Sequence, residues 1–384
     1  MERLRTYFLS FVLAIFLLAG FGLAIGTSTA ASKAPVTAKS AANVNEQALW
    51  GKVIAEAKRE GSVVVATGLS EDVRKAVTAS FVKKYDVNVE WLVGRPTELE
   101  AKIKAQRAAG ISAEDVAMPG LPSFANIFKP MGITVPLEPL LMLREVTDKS
   151  KWKGGELPYF DKEKHGIQAS LYAIPFYIFN TSQVKATELA LTQDLLNPKW
   201  KGKIVISDPS IAGAGNDWFT FTVIEIMGRD KGIQFMKDLL KQEPVITRDE
   251  RMLTEWVARG KYQIGIGTSP AVPVSFIKNG AELAFAEMKE PRELTQGYAL
   301  LCAFNQSPHP NAQKLFVNWI LSREGNSILA QASGYASTRV DGSTDGILPI
   351  LIPKEGDVNV YKKYDFLSFK NEMMEKAKGI FTGR

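Results

Sequence analysis

The stretch SVVVATGLSEDV, residues 62–73, joins a β-branched run to a helix start across one glycine. Val63, Val64 and Val65 show no alternation, which is the pattern of a strand covered on both faces, as in parallel sheets flanked by helices. Gly68 and Leu69 turn the chain. Ser70 stands where a helix N-cap is expected, Glu71 and Asp72 suit the positive end of the helix dipole, and Val73, Ala76, Val77 and Phe81 form an apolar face at helical spacing.

The same alternation extends outward. A helical pattern over 49–59 precedes the strand and stops at Gly61. Val89, Trp91 and Val93 predict a second strand, 97–109 a helix ended by Gly110, and 115–118 a third strand. Strands and helices alternating through short links imply parallel units with right-handed crossovers. The run 171–180 holds Pro175, so it is expected at an edge or to change direction midway. Beyond it the logic restarts. Strands are predicted at 203–207, 245–247 and 262–267, and helices at 217–227, 232–241 and 252–259. A further run at 297–304 and a helix at 311–322 follow. The fold class expected is α/β, two-lobed.

The 384 residues carry 47 Lys and Arg against 41 Asp and Glu, a net charge of +6, with 46% hydrophobic and 23% charged residues. At about 150 residues per domain that length suggests two domains, and the composition is that of a folded chain rather than a disordered one. Cys302 is the one cysteine, and His165 and His309 are the two histidines, which excludes a disulfide scaffold and a metal site built from several Cys and His. The mild positive charge favours anionic small partners and does not argue for nucleic acid.

Arg3 and Arg5, the apolar run 7–25 and the small residues Ser28-Thr29-Ala30 have the three-part pattern of an export signal, expected as residues 1–30. The alternative is an uncleaved membrane anchor. Residues 31–46 are expected as a flexible leader.

Turns rich in Gly, Ser or Thr recur between a strand end and a helix start, at 67–70, 94–97, 207–215 and 268–269. In parallel sheets such junctions share the carboxyl edge, where unpaired helix N–H groups favour an anion. Arg95 and Arg248 sit in two of these turns and offer guanidinium forks. Tyr177, Phe179 and Tyr298 are either core or ligand contacts. The sequence holds no G-x-S-x-G, P-loop, H-E-x-x-H or G-x-G-x-x-G pattern, and Gly265-Ile266-Gly267 lacks the third glycine. Adjacent acids such as Glu71-Asp72, Glu114-Asp115 and Asp249-Glu250 read as solvated, and His309 as an exposed turn.

These residues resemble the bacterial extracellular solute-binding proteins of ABC importers, in particular the group that holds ferric-ion, thiamine, aminoethylphosphonate and sugar-phosphate binders. The resemblance spans about residues 50–339. It rests on GSVVVATGLSEDV at 61–73, GRPTELEAKI at 94–103, EDVAMPG at 114–120, FYIFNTSQV at 176–184 and LLNPKWKGKIVISDPSIAGAG at 195–215. ARGKYQIGIG at 258–267 and SPHPNAQKLFVNWILSREG at 307–325 complete it. It implies two lobes, 47–172 with 290–335 and 173–289 with 336–384, joined by crossing strands at about 172–180 and 297–304. The C-terminal helical pattern at 369–378 is expected to pack on one lobe.

A monomeric periplasmic receptor is implied, with a small anionic solute and an ABC permease as partners, and with no cofactor, metal or nucleic acid. The solute would lie between Thr67, Gly68, Leu69, Arg95, Pro119 and Gly120 of the first lobe and Ser210, Ala212, Gly213, Ala214, Arg248, Thr268 and Ser269 of the second. Tyr177 and Tyr298 would stand near the hinge. Ferric-binding members carry two neighbouring tyrosines where this chain has Thr268-Ser269, so a phosphate, phosphonate, sulfonate or carboxylate compound is expected before iron. A ferric receptor using an exogenous anion is the alternative, and an enzyme on the same scaffold ranks below it.

Overall fold

The computed structural model describes residues 34–295, 298–358 and 366–382, with side chains from residue 46 onward except 359–369. The expected export signal lies outside the described residues. The chain divides into two units, Met1–Asn45 and Glu46–Arg384. Helix α1, Ala34–Glu60, begins inside the stretch expected as a flexible leader. Its Ala and Lys content favours helix, and Pro35 is tolerated in a first turn.

From Gly61 the chain alternates as its periodicity implies. β1 (Ser62–Thr67), α2 (Glu71–Tyr85), β2 (Asn88–Val93), α3 (Pro96–Ala108), β3 (Val116–Met118) and the short α4 (Leu121–Ser123) come first. β4 (Thr134–Val135), α5 (Arg144–Thr147) and β5 (Ile167–Gln168) follow. α2 buries Val73, Val77, Phe81 and Tyr85, one stripe at spacing four. Ser70 occupies the N-cap position of α2, but its hydroxyl makes no capping bond.

The apolar run at 171–180 breaks at Pro175 into β6 (Ser170–Ile174) and β7 (Tyr177–Asn180), which belong to different sheets. Then come β8 (Ile204–Ser207), α6 (Ala214–Phe221), α7 (Arg229–Leu240), β9 (Val245–Thr247), α8 (Glu250–Ala258), β10 (Ile264–Ile266), α9 (Ala271–Lys278) and β11 (Leu283–Phe285). The chain closes with β12 (Glu293–Thr295), β13 (Leu300–Phe304), α10 (Pro310–Leu321), α11 (Arg323–Ser333), β14 (Ala336–Ser337) and α12 (Phe366–Phe381).

The first sheet has the order β2-β1-β3-β13-β4, with β5 also on β13. β1 is parallel to both β2 and β3, while β13 returns antiparallel between β3 and β4. The second sheet has the order β11-β7-β10-β8-β9, in which β8, β9 and β10 are parallel and β7 runs against β10 and β11. Each sheet has its own core. Phe81, Phe316 and Trp319 centre the first, and Trp218, Phe219 and Met236 the second. β6 lies between β12 and β14 in a third, small antiparallel sheet at the crossing.

Two features of the carboxyl-terminal part bear on the expected lobe bounds. β13 lies inside the first sheet, between β3 and β4. Residues 336–341, expected with the second lobe, pack against Trp152 and Leu321 of the first core through Arg339. α12 does pack on the second core, where Met373 and Ala377 are buried.

Glu293 on β12 is buried, and its Oε2 has no partner among the described residues. Burial, and behind it the carboxylate of Asp217, push its pKa well above the usual carboxylate range against the pull of Lys370, with Glu225 adding to the rise. A group whose folded pKa is raised stabilises the fold below its unfolded pKa and loses that contribution as pH rises towards the folded value. Glu293→Gln is therefore expected to match the parent in urea melts at pH 4. At pH 8 it should exceed the parent by about 1 kcal/mol, since no charge then has to stay buried. Equal midpoints at both pH values would contradict this account.

Candidate ligand-binding site

Three strand-to-helix junctions of the first sheet meet at one cavity of about 240 Å³. Gly68 and Leu69 follow β1, Gly94 and Pro96 follow β2, and Pro119 and Gly120 follow β3. The three glycines leave backbone bare at the rim. α2 and α3 begin here, and α4 continues into a π-helical turn at Phe124–Phe128. The first N–H groups of α2 and α3 have no backbone partner within the helix, and the dipoles place their positive ends on this side of the sheet; at α3 the Glu98 carboxylate accepts from the Arg95 amide at 3.0 Å.

Thr67 shapes this rim without lining it. It is buried, and its hydroxyl donates to the carbonyl of Met118 at 2.9 Å and accepts from the amide of Leu69 at 3.1 Å, tying two of the junctions together. Arg95 does not reach in. Its guanidinium is largely exposed and is held by Glu98, with Nε 2.8 Å from Oε1.

Tyr298 forms the far wall of the cavity. Its ring stands edge-on to Tyr335 at 4.8 Å between centroids, and Tyr335 is stacked on Tyr172 of β6 at 4.1 Å. Burial raises the pKa of all three phenols, Tyr335 to about 12, so they keep their protons at neutral pH. Val274 of α9 packs into the same cluster as Tyr298 and Tyr335. α9 follows directly on Thr268 and Ser269, so the rim of the second sheet is joined to the wall of the first cavity through this aromatic cluster.

In the second rim the hydroxyl of Ser210 and its amide both donate to Asp208 Oδ1, at 2.5 and 2.9 Å. Arg248 Nε donates to Asp208 Oδ2 at 2.9 Å from a mostly exposed position. Burial alone would raise the Asp208 pKa, but the bonds from Ser210 and Arg248 outweigh it and hold the carboxyl below its usual range. Ala212 and Gly213 are exposed, and Ala214 opens α6. α6 sits tightly on the strand ends, since a Cβ on Gly215 would stand 2.3 Å from the Ser207 carbonyl oxygen.

The amide of Ser269 is already bound, donating to Glu250 Oε2 at 2.8 Å. Burial raises the Glu250 pKa, and this bond opposes the rise. Thr268 and Asn216 are buried, and Thr268 Oγ1 and Asn216 Oδ1 have no partner among the described residues. Tyr177 lies apart from both rims. Its hydroxyl is engaged by Thr192 and by the indole N–H of Trp218, each at 3.0 Å, in the second core. Asp208, Glu250 and Asn216 also stand at the second rim; Asp249-Glu250 reads as a solvated pair in the sequence, whereas Glu250 holds the Ser269 amide. A carboxylate two residues before Ser210 was the available signal for Asp208.

A family model described as a bacterial extracellular solute-binding protein matches residues 76–345, and the chain belongs to that family. An uncharacterized protein of Haemophilus influenzae is 24% identical over 291 residues, covering 72% of this chain and 77% of that protein. The Trichodesmium protein FutA, solved with iron and citrate, is 18% identical with a TM-score of 0.62, covering 84% of this chain and 98% of its own. The periplasmic binding protein AfuA of Actinobacillus pleuropneumoniae, solved with fructose-6-phosphate, is 18% identical with a TM-score of 0.57, covering 84% and 99%. At such identities the likeness shows the fold, a two-lobed binding protein. The family is one of transport receptors rather than enzymes, working outside the cytoplasm with a solute and a permease as partners. Among the described residues no helix is long and apolar enough to cross a membrane.

Proposed function

We propose that this chain is the periplasmic receptor of an ABC importer, working as a monomer, and that it captures a small organic anion between its two sheets. The observation that carries the reading is the convergence of the starts of α2 and α3 and the Gly120 turn on one cavity. Each helix start is worth about 0.3–1 kcal/mol towards a negative charge, and more when partly buried. The chain uses the same chemistry within itself. The Glu60 carboxylate accepts from the amides of Asn311 and Ala312, at 3.0 and 2.7 Å, at the start of α10.

Closure follows from the two rims lying on separate sheets joined by a narrow crossing. A solute that touches both rims only in the closed arrangement shifts the population towards it. Thr268 and Asn216, buried with unmet hydrogen-bonding capacity, are the second rim's candidate contacts. Ferric iron ranks below the organic anion because Thr268 and Ser269 offer neutral hydroxyls where the ferric-binding members carry two tyrosines, whereas a hard trivalent cation wants anionic oxygen.

Native mass spectrometry of protein purified without refolding tests the ligand class. A phosphorylated, sulfonated or carboxylated compound released on denaturation is the expected result. A stoichiometric ferric ion, with submillimolar affinity for no organic anion, would overturn it.

A further inference from the structure

The cavity at the ends of β1, β2 and β3 has a second property, independent of the helix starts. Among the described residues no charged side chain lines it. Its walls are Leu69, Leu99, Met118, Phe128 and the ring of Tyr298, with Ser123 adding an aliphatic hydroxyl. Tyr298 is a fixed wall, because Tyr335 backs it at 4.8 Å and Tyr172 backs Tyr335 at 4.1 Å.

Such walls strip water from whatever enters and return few hydrogen bonds, which penalises a bare oxyanion, a metal ion or a polyhydroxylated chain. They reward apolar surface in proportion to the area buried. An apolar cavity of about 150 Å³ holds one benzene. At about 240 Å³ this one has room for a single substituted ring.

We infer that the solute is an amphipathic anion whose ring-sized apolar body fills the first-sheet cavity beside Tyr298, with its charged group at the cavity mouth. The inference rests on the anion reading above and narrows it. The ring lies against side chains and the charge against backbone amides, so the two parts of the solute can be tested separately.

Calorimetry with phenyl phosphate and methyl phosphate, which share a charged group, separates them. Phenyl phosphate is expected to bind at least tenfold more tightly. Ser123→Phe, which places a ring inside the cavity from a half-buried position, should abolish the preference, so that the two esters bind with equal affinity. A urea melt matching the parent's shows that the variant is folded. Equal affinities in the parent would overturn the ring inference and leave the anion reading standing, as would a Ser123→Phe variant that keeps the preference or weakens both esters alike. Failure of both esters to bind the parent would also overturn the ring inference, while the anion reading stands or falls separately on the class of the copurified compound.

Discussion

Asp115→Ala is expected to destabilise the protein by about 3–5 kcal/mol, the range for removing one partner from a buried, fully bonded charged group. Asp115 is completely buried. Its carboxylate accepts from the Val64 amide at 2.7 Å, the Ser307 hydroxyl at 2.5 Å, the His309 amide at 3.0 Å and His309 Nδ1 at 3.0 Å. Alanine leaves those donors without their shared acceptor, the Val64 amide among them. Asp115→Asn keeps one acceptor oxygen but turns an NH₂ group towards the remaining donors, so it should recover only part of the loss. Urea melts read both. The same side chain also joins β1 and β3 to the start of α10, so a folded Asp115→Asn protein should bind solute more weakly although residue 115 does not line the cavity. A cost under about 1 kcal/mol for alanine would show that the network relaxes freely.

Arg339→Met should cost about 3 kcal/mol or more by the same reasoning. The guanidinium is fully buried, forks onto Asp341 with Nε 2.8 Å from Oδ1, and donates from Nη1 to the carbonyls of Glu145 and Leu321 at 2.9 and 3.1 Å. It also lies over the Trp152 ring at 5.3 Å. Methionine fills much of the volume but leaves two carbonyls and a carboxylate without donors. Arg339→Lys should fall between, since one ammonium cannot reproduce a planar fork. Burial alone would raise the Asp341 pKa, but the bonds and charge of Arg339, a backbone bond and the charge of Lys151 together outweigh it and hold the carboxyl below its usual range. A depressed carboxyl stabilises above its unfolded pKa and loses that contribution as pH falls through the folded value. The gap between parent and Arg339→Met should therefore narrow in acid, and a gap that widened there would refute the assignment.

What the sequence revealed of the fold were its local parts. The Val63–Val65 run, the break at Pro175 and the stripe on α2 depend on near neighbours, and the periodicity shows them directly. Partnerships across the chain were not visible. Glu114 and Asp115 read as a solvated acidic pair, yet both are buried, because the groups that satisfy Asp115 lie near residue 308. Tyr172, Tyr298 and Tyr335 are scattered in sequence and meet only through β6 and the segments around β13 and β14. The strand-to-helix turns marked the first rim, since Gly68, Leu69, Pro119, Gly120 and Tyr298 do share a cavity. The partners of the two arginines were not legible either: Arg95 is paired with Glu98 and Arg248 with Asp208.

The small sheet at the crossing bears on how the molecule can move. β6 and β12 run side by side in opposite directions, paired from Tyr172 with Thr295 to Ile174 with Glu293, and β14 braces the free edge of β6. Twisting or sliding one half against the other would shear those ladders, whereas folding across the ribbon leaves every rung intact. Such a joint is expected to bend across the ribbon more readily than it twists or slides.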